Sequence, residues 1–447
     1  MEKILLSELA EVLKTECPIE AEITSISTDT RDISENCLFI AIKGERFDAH
    51  DFIPDAIKSG AAAAVSERGI AGQPCLIVDS TRKALLDIAG FYRNRFTPFL
   101  VGITGSVGKT TTKEMIALVL SEKYETLKTQ GNFNNEIGLP KTLFRLEKSH
   151  EAAVIEMGMS DFGEIERLSN TACPDMAVIT NIGFSHIENL GSQEGILKAK
   201  LEILSGMSEN SPLAVNGDDS YLSPLKDKLE RPVYTFGIEN EKCDFRGAEI
   251  CESEDTTSFT VSYPGGKIRA EIPCIGRHNV MNALAAFSVG TLAGLLPKEI
   301  VSALKKYKSD KMRQNIVKKG ENTIIIDCYN ASPDSMKASL KVLSSVKADG
   351  RKIAVLGDML ELGKQSAALH TLVGEYVSNS KIDKLFCLGH ESKFIAQKAV
   401  ESGIDSEFTE NKDELTNILK SYIKPGDTVL FKASRGMKLE EIIEKLF

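Results

Sequence analysis

At 447 residues the chain is too long for a single hydrophobic core, so two to four domains are expected. Its 42% hydrophobic and 26% charged residues are those of an ordinary globular protein, and no apolar run approaches the roughly 20 residues a membrane helix needs. A net charge of -10 argues against nucleic acid as a partner, and nine cysteines without C-x-x-C spacing fit free thiols in a reducing cytoplasm better than disulfides or a zinc site. Anionic ligands must then be met by local cationic pockets.

In chain order, residues 1–8 are broken by acids too early for a signal peptide and read as the start of an amphipathic helix. Strand-like runs at 37–42 and 75–78 surround a helix at 55–59, followed by a small apolar alanine run; this predicts a small α/β module over 1–97. After Thr97-Pro98, strands at 99–103, 152–156 and 177–180 alternate with helical stretches. A hairpin follows at 258–272, turned by Pro264-Gly265-Gly266. The alternation predicts a mainly parallel sheet in a central domain, 98–309. The last segment, 310–447, repeats the rhythm with strands at 323–326, 353–356, 384–388 and 428–431 and helices such as 334–346, which predicts a Rossmann-like domain. The fold expected is therefore three-domain α/β.

Thr104, Gly105, Ser106, Val107, Gly108, Lys109, Thr110 and Thr111 lie between the run 99–103 and a helical pattern over 111–124, striped by Ile116, Val119, Leu120 and Tyr124. Glycines let a backbone wrap an anion while successive N–H groups and a helix N-terminus point at it. Lys109 neutralises outer phosphates, and the Thr110 hydroxyl is placed to hold Mg²⁺. A nucleoside triphosphate is the expected ligand. The general G-x-x-x-x-G-K-[ST] pattern asks for Gly where this chain has Ile103. Glu156 ends an apolar run, where a parallel strand presents a carboxylate to a phosphate-bound metal; a solvated strand-end glutamate is the plain alternative.

The loop resembles the T-G-x-x-G-K-T-T variant of the Mur ligase superfamily, amide-forming ATPases that build the peptide of bacterial cell-wall precursors. Gly131-Asn132-Phe133-Asn134-Asn135-Glu136-Ile137-Gly138, Glu156-Met157-Gly158-Met159, Thr180-Asn181-Ile182-Gly183 with His186, and Lys198-Ala199-Lys200 follow in that superfamily's order. Asp327-Cys328-Tyr329-Asn330-Ala331-Ser332-Pro333-Asp334-Ser335-Met336 and Leu356-Gly357-Asp358-Met359-Leu360-Glu361-Leu362-Gly363 resemble the branch that joins D-alanyl-D-alanine to UDP-N-acetylmuramoyl-tripeptide. The likeness runs from about residue 25 to the C-terminus.

The resemblance implies an ATP-dependent, ADP-forming ligase of cytoplasmic peptidoglycan synthesis that works through an acyl phosphate and uses two Mg²⁺ ions. It implies a UDP-substrate-binding domain at 1–97, an ATP-binding domain at 98–309 and a dipeptide-binding domain at 310–447. It assigns Thr110, Glu156, His186 and Lys200 to the metal, with Lys200 carbamylated, and Lys109, His186 and Lys200 to catalysis. Asn279, Asn282, Arg313, Asp327 and Tyr329 join the loop in contacting ATP. Thr28, Asp29, Thr30, Arg31, Lys43, Gly44, Phe47, Asp48 and His50 meet the UDP end, and Asn132, Asn134 and Asn135 the sugar and peptide amides. Asn330, Ser332 and Asp334 take the dipeptide. Read by spacing alone, His186 is a surface loop residue, Lys200 a solvated helical lysine and Asn279 a helix cap, and N-x-N-N is a turn. The chain departs from the family at Ala49, Ser332 and Ala433, where Gly, Asn and Gly are usual.

The 356–363 motif, with His370, has no generic chemical reading and stands as a fingerprint, while Lys432 and Arg435 are cations able to steady an anionic group. A ligase adding lysine or diaminopimelate would carry D-N-P-R, and a guanine-binding switch N-K-x-D; neither occurs. A folylpolyglutamate-type ligase would lack the UDP-binding module, and a P-loop kinase leaves the third domain unexplained. The expected partners are small-molecule substrates, with no nucleic acid and no membrane insertion, acting on a monomer.

Overall fold

The computed structural model describes residues 1–44, 47–309 and 312–447. Glu45 and Arg46, within the expected UDP-binding segment, and the expected boundary at Asp310 lie outside these residues. The chain forms two compact units. The first comprises Met1–Thr104, Lys123–Val178 and Leu201–Pro212, the second Gly105–Glu122, Ile179–Lys200 and Leu213–Phe447.

In the first unit, strands Ser25–Ser27, Cys37–Ile40, Ala61–Ser66 and Cys75–Ile77 lie in that order in a parallel sheet. The alanine run is thus a strand. Alanine's helix preference is only a weak prior, and small side chains suit a strand buried against Cys37, Phe39, Ile53 and Ala56. The helix predicted at 55–59 starts earlier, at Ile53–Lys58, because Pro54 sits comfortably in a first turn whose N–H groups need no partner. Strand Phe99–Thr104 pairs in parallel with Ala152–Glu156, which pairs in parallel with Thr126–Lys128. Helix Thr81–Arg93 joins the two layers. It packs on helices Leu6–Leu13, Gly138–Leu143 and Glu164–Ala172. Its buried Tyr92 hydroxyl donates to Leu146 O and accepts from Glu2 N–H, both at 2.8 Å.

In the second unit, helix Lys109–Leu120 packs against helix Arg277–Leu292. It begins two residues before the predicted start, because Gly108 at φ +86° ends the loop abruptly. It stops at Leu120, leaving Tyr124 outside. Strands Leu213–Asn216, Val233–Gly237 and Phe245–Glu252 are parallel neighbours; Thr257–Tyr263 and Gly266–Ile272 add an antiparallel hairpin. The C-terminal part is a six-stranded sheet ordered Asn315–Lys319, Asn322–Asp327, Thr428–Lys432, Lys352–Gly357, Lys384–Leu388 and Ser406–Thr409. Only its first pair is antiparallel. The last long strand to form in sequence slots between earlier ones, so Asp327, Gly357 and Lys432 end side by side at a change of strand order. Parallel sheets bind ligands there.

Candidate active site

The phosphate loop is held open by the segment that follows strand Met176–Ile179. Ser106 and Val107 N–H groups donate to Asn181 Oδ1 at 3.1 and 2.9 Å, and Thr180 Oγ1 and Asn181 Nδ2 both donate to Val107 O. Gly183 N–H donates to Ser106 Oγ at 2.9 Å. Asn181 was legible in the sequence as part of a motif but without a role. Its amide is the brace that sets the loop.

Lys109 Nζ donates to its own loop at Gly105 O, 2.7 Å away. Thr110 is buried in the first turn, where helix N–H groups lack intrahelical partners and favour anions. Asn282 accepts from Thr112 Oγ1 at 3.1 Å and donates to Asn279 Oδ1, while Asn279 donates to Ile275 O at 2.8 Å. Asn282, itself held by Asn279, thus ties helix Arg277–Leu292 to the loop helix; the cap of the former is Gly276.

Lys200 is almost wholly buried in helix Gln193–Leu201. Burial, reinforced by the neighbouring Lys109 cation, pushes its ammonium well below the usual lysine range. His186 has φ +63°, and its Nδ1 lies 2.6 Å from Glu361 Oε2. That pair meets the distance of an ion pair without the alignment of a hydrogen bond. His186 beside it holds the Glu361 carboxyl below its ordinary value. Among the described residues no three His, Cys, Asp or Glu side chains converge. Mg²⁺ held through nucleotide phosphates needs few protein ligands.

At the sheet's carboxyl end, buried Lys432 donates to Asp327 Oδ2 at 2.7 Å and to Asn330 O at 2.9 Å, and Ser339 Oγ also donates to Asp327. Lys432 is thus a structural counter-ion rather than an exposed anion holder. The Arg313 guanidinium lies 3.9 Å over the Tyr329 ring. Asn330 Oδ1 accepts from Ala331 N–H, and Ser332 caps helix Pro333–Ser345. Asp334 Oδ2 is buried without a hydrogen-bond partner, against Gly183 and close to Ser106, and burial raises its carboxyl above the usual range.

The fingerprint 356–363 is a strap. Asp358 Oδ1 accepts from Ser392 N–H at 2.7 Å, Met359 N–H donates to His370 Nε2 at 3.0 Å, and Leu360 N–H donates to Ser434 Oγ at 2.9 Å. Buried His370 is held neutral by its desolvation, with Nδ1–H donating to Ser366 O.

The residues expected to bind UDP and the sugar and peptide amides, and the expected metal ligand Glu156, lie in the first unit. Arg31 is exposed and forked onto Asp29, at 2.7 Å to Oδ2, and holds that carboxyl down at about 2. Asp29 also accepts from Arg31 N–H, with Thr28 and Thr30 on either side. His50 is buried, with Nδ1 2.5 Å from Asp48 Oδ1 and Nε2 accepting from Glu67 N–H, so both ring nitrogens serve the module. Lys43 and Gly44 begin the loop whose Gly44 N–H donates to Phe47 O, and Phe47 is exposed. Asn134 Nδ2 donates to Glu156 Oε1 at 2.8 Å, Asn135 Oδ1 caps Ile137 and Gly138 N–H, and Asn132 O accepts from Asn134 N–H.

Comparison with known proteins identifies the family. Family models match over most of the chain: the Mur ligase family catalytic domain at 22–92, the Mur ligase middle domain at 103–290 and the Mur ligase glutamate ligase domain at 312–435. The UDP-N-acetylmuramoyl-tripeptide--D-alanyl-D-alanine ligase of Bacillus subtilis is 43% identical over 432 residues, covering 95% of this chain and 93% of that protein. A MurF crystal structure from Acinetobacter baumannii superposes with a TM-score of 0.92 at 31% identity, covering 100% of this chain and 99% of that one. MurF from Thermotoga maritima, solved in complex with ADP, gives 0.84 at 30% identity, covering 94% and 96%. The motifs, the fold and these relatives agree: the chain belongs to the Mur ligase family.

Proposed function

We infer that this enzyme joins D-alanyl-D-alanine to UDP-N-acetylmuramoyl-tripeptide, consuming ATP and releasing ADP and phosphate. The observation that carries the reading is a phosphate loop and a dipeptide-type segment meeting within one unit, where the Asp334 carboxylate faces Gly183 beside Ser106. Full-length similarity to ligases of that name supports the substrates.

The tripeptide carboxylate attacks the γ-phosphate, ADP leaves, and an acyl phosphate forms. The dipeptide amine then adds to the acyl carbon, loses a proton, and phosphate departs with the C–O bond. Lys109 and the amides of the loop stabilise the charge that moves during both steps. Arg313 and Tyr329 serve the nucleotide, with Asp327 held for that role by Lys432. Asn282, held by Asn279, acts by fixing the loop helix. Asn330, Ser332 and Asp334 receive the dipeptide. Thr28, Asp29, Thr30, Arg31, Lys43, Gly44, Phe47 and Asp48 bind the UDP end with His50 as internal support, and Asn132, Asn134 and Asn135 the peptide.

Thr110 and His186 would hold Mg²⁺, which supplies charge neutralisation on the phosphates; Glu156 keeps the metal-binding role its motif implies. Lys200 is proposed to work as a carbamate. Its depressed basicity favours the neutral amine, the form that adds CO₂, and the product is an anion suited to a metal-rich site. No helix among the described residues is long and apolar enough to cross a membrane. The need for ATP and a UDP-linked substrate supports a cytoplasmic reaction, and the enzyme is proposed to act as a monomer. Phosphate release should require all three of ATP, UDP-tripeptide and D-alanyl-D-alanine. Release with ATP alone at the full rate would instead indicate a switch or simple ATPase.

A further inference from the structure

The strap 358–365 lies against the segment that follows strand Met176–Ile179. Met359 and Leu362 are buried and anchor it. Gly363, at φ +50°, lies so close to Glu188 that a Cβ there would come within 2.9 Å of Glu188 Cγ, and Gln365 Nε2 donates to Gly191 O at 3.4 Å. Between these anchors stands Glu361. It is a glutamate at φ +63°, a conformation that Gly or Asn adopts at lower cost, and its side chain is 60% exposed. Neither the turn nor the core requires a carboxylate here. What the conformation achieves is Oε2 at 2.6 Å from His186 Nδ1, and His186 is itself in the left-handed region at φ +63°. Two strained backbones are turned toward one contact.

We propose that Glu361 is a positioning residue for His186, holding the proton on Nδ1 so that the Nε2 lone pair faces the nucleotide site as a metal ligand. The inference rests on the metal reading of His186 given above. A carboxylate on the far nitrogen fixes the ring's tautomer and orientation and raises the basicity of the other nitrogen. Because Glu361 belongs to the C-terminal sheet's strap, His186 is set only when that strap is seated on the loop. The imperfect alignment of the pair leaves it room to tighten as the nucleotide binds.

The test uses the full-length enzyme with a non-hydrolysable ATP analogue and Mn²⁺, free Mn²⁺ being read by electron paramagnetic resonance. Glu361→Ala should weaken Mn²⁺ binding about 10- to 100-fold, and Glu361→Gln by less, since its amide oxygen still accepts from Nδ1–H. His186→Ala should lose at least as much as Glu361→Ala, and the double variant no more than His186→Ala. In turnover, Glu361→Ala should raise the KM for nucleotide more than that for the dipeptide, with the melting temperature unchanged. Wild-type Mn²⁺ affinity in Glu361→Ala, alongside weakened binding in His186→Ala, would reduce Glu361 to a docking contact and overturn the proposal while leaving the metal reading intact. Unaltered affinity in both variants would overturn the metal reading itself.

Discussion

Gly105 and Thr180 stand too close for a methyl group to come between them. A Cβ on Gly105 would overlap Thr180 Oγ1, the atom that donates to Val107 O at 2.6 Å and so shapes the phosphate loop. Gly105 also sits at φ +148°, where other residues are strained. Gly105→Ala is therefore expected to break the Thr180 brace and weaken nucleotide binding roughly tenfold or more, corresponding to about 1–3 kcal/mol of local strain. Calorimetric titration with an ATP analogue checks this; wild-type affinity would contradict it.

On the proposed mechanism, Lys109→Ala removes the cation that both binds phosphate and stabilises transferring charge. A fall in turnover of at least about a hundredfold, near 3 kcal/mol of barrier, is expected. Near-normal phosphate release would refute the loop's assigned role.

If Lys200 works as the proposed carbamate, Lys200→Ala should be folded yet almost inactive, because it then loses an anion that positions metal and phosphate rather than a core contact. Acetate or propionate should enter the vacated space and restore part of the rate. High-resolution density on the wild type should show a branched extension on Nζ. A plain ammonium, together with an active Lys200→Ala enzyme, would rule the carbamate out.

Asp334 presents a buried, unpartnered oxygen to the loop side of the site. If that oxygen receives the dipeptide's ammonium group, Asp334→Ala should raise the KM for D-alanyl-D-alanine about tenfold or more and leave that for UDP-tripeptide nearly unchanged. Equal effects on both would indicate a general folding defect.

The Asp29 carboxyl, held down to about 2 by its hydrogen bonds from Arg31 against an ordinary 3.8, makes one contribution to stability pH-dependent. A carboxylate held low in the folded state stabilises fully above its unfolded value, and the benefit fades as the pH falls from about 4 to about 2. Asp29→Asn should flatten that part of the acid-unfolding curve and lower stability slightly at neutral pH. The pair is exposed and screened, so the effect is small and should shrink further in high salt. An unchanged curve would mean that Arg31 is not paired with Asp29 in solution.

Local features could be read from the residues alone. A Gly-rich turn between an apolar strand and a helix follows from backbone freedom, so the phosphate loop and its helix were legible within two residues at the start. Alternating strands and helices likewise announced parallel sheets, because period and breakers are properties of short segments. Tertiary structure decided the rest. The alanine run at 61–66 became a strand through its neighbours, and Thr428–Lys432 slotted between Asn322–Asp327 and Lys352–Gly357 through long-range pairing that no window of sequence records. Roles that depend on partners far along the chain were equally hidden. Asn181 braces Ser106 and Val107, Lys432 neutralises Asp327, and Glu361 meets His186 from a distant part of the chain. Side-chain chemistry states what a residue is able to do, whereas burial and distance, set by the whole fold, select which of those things it does.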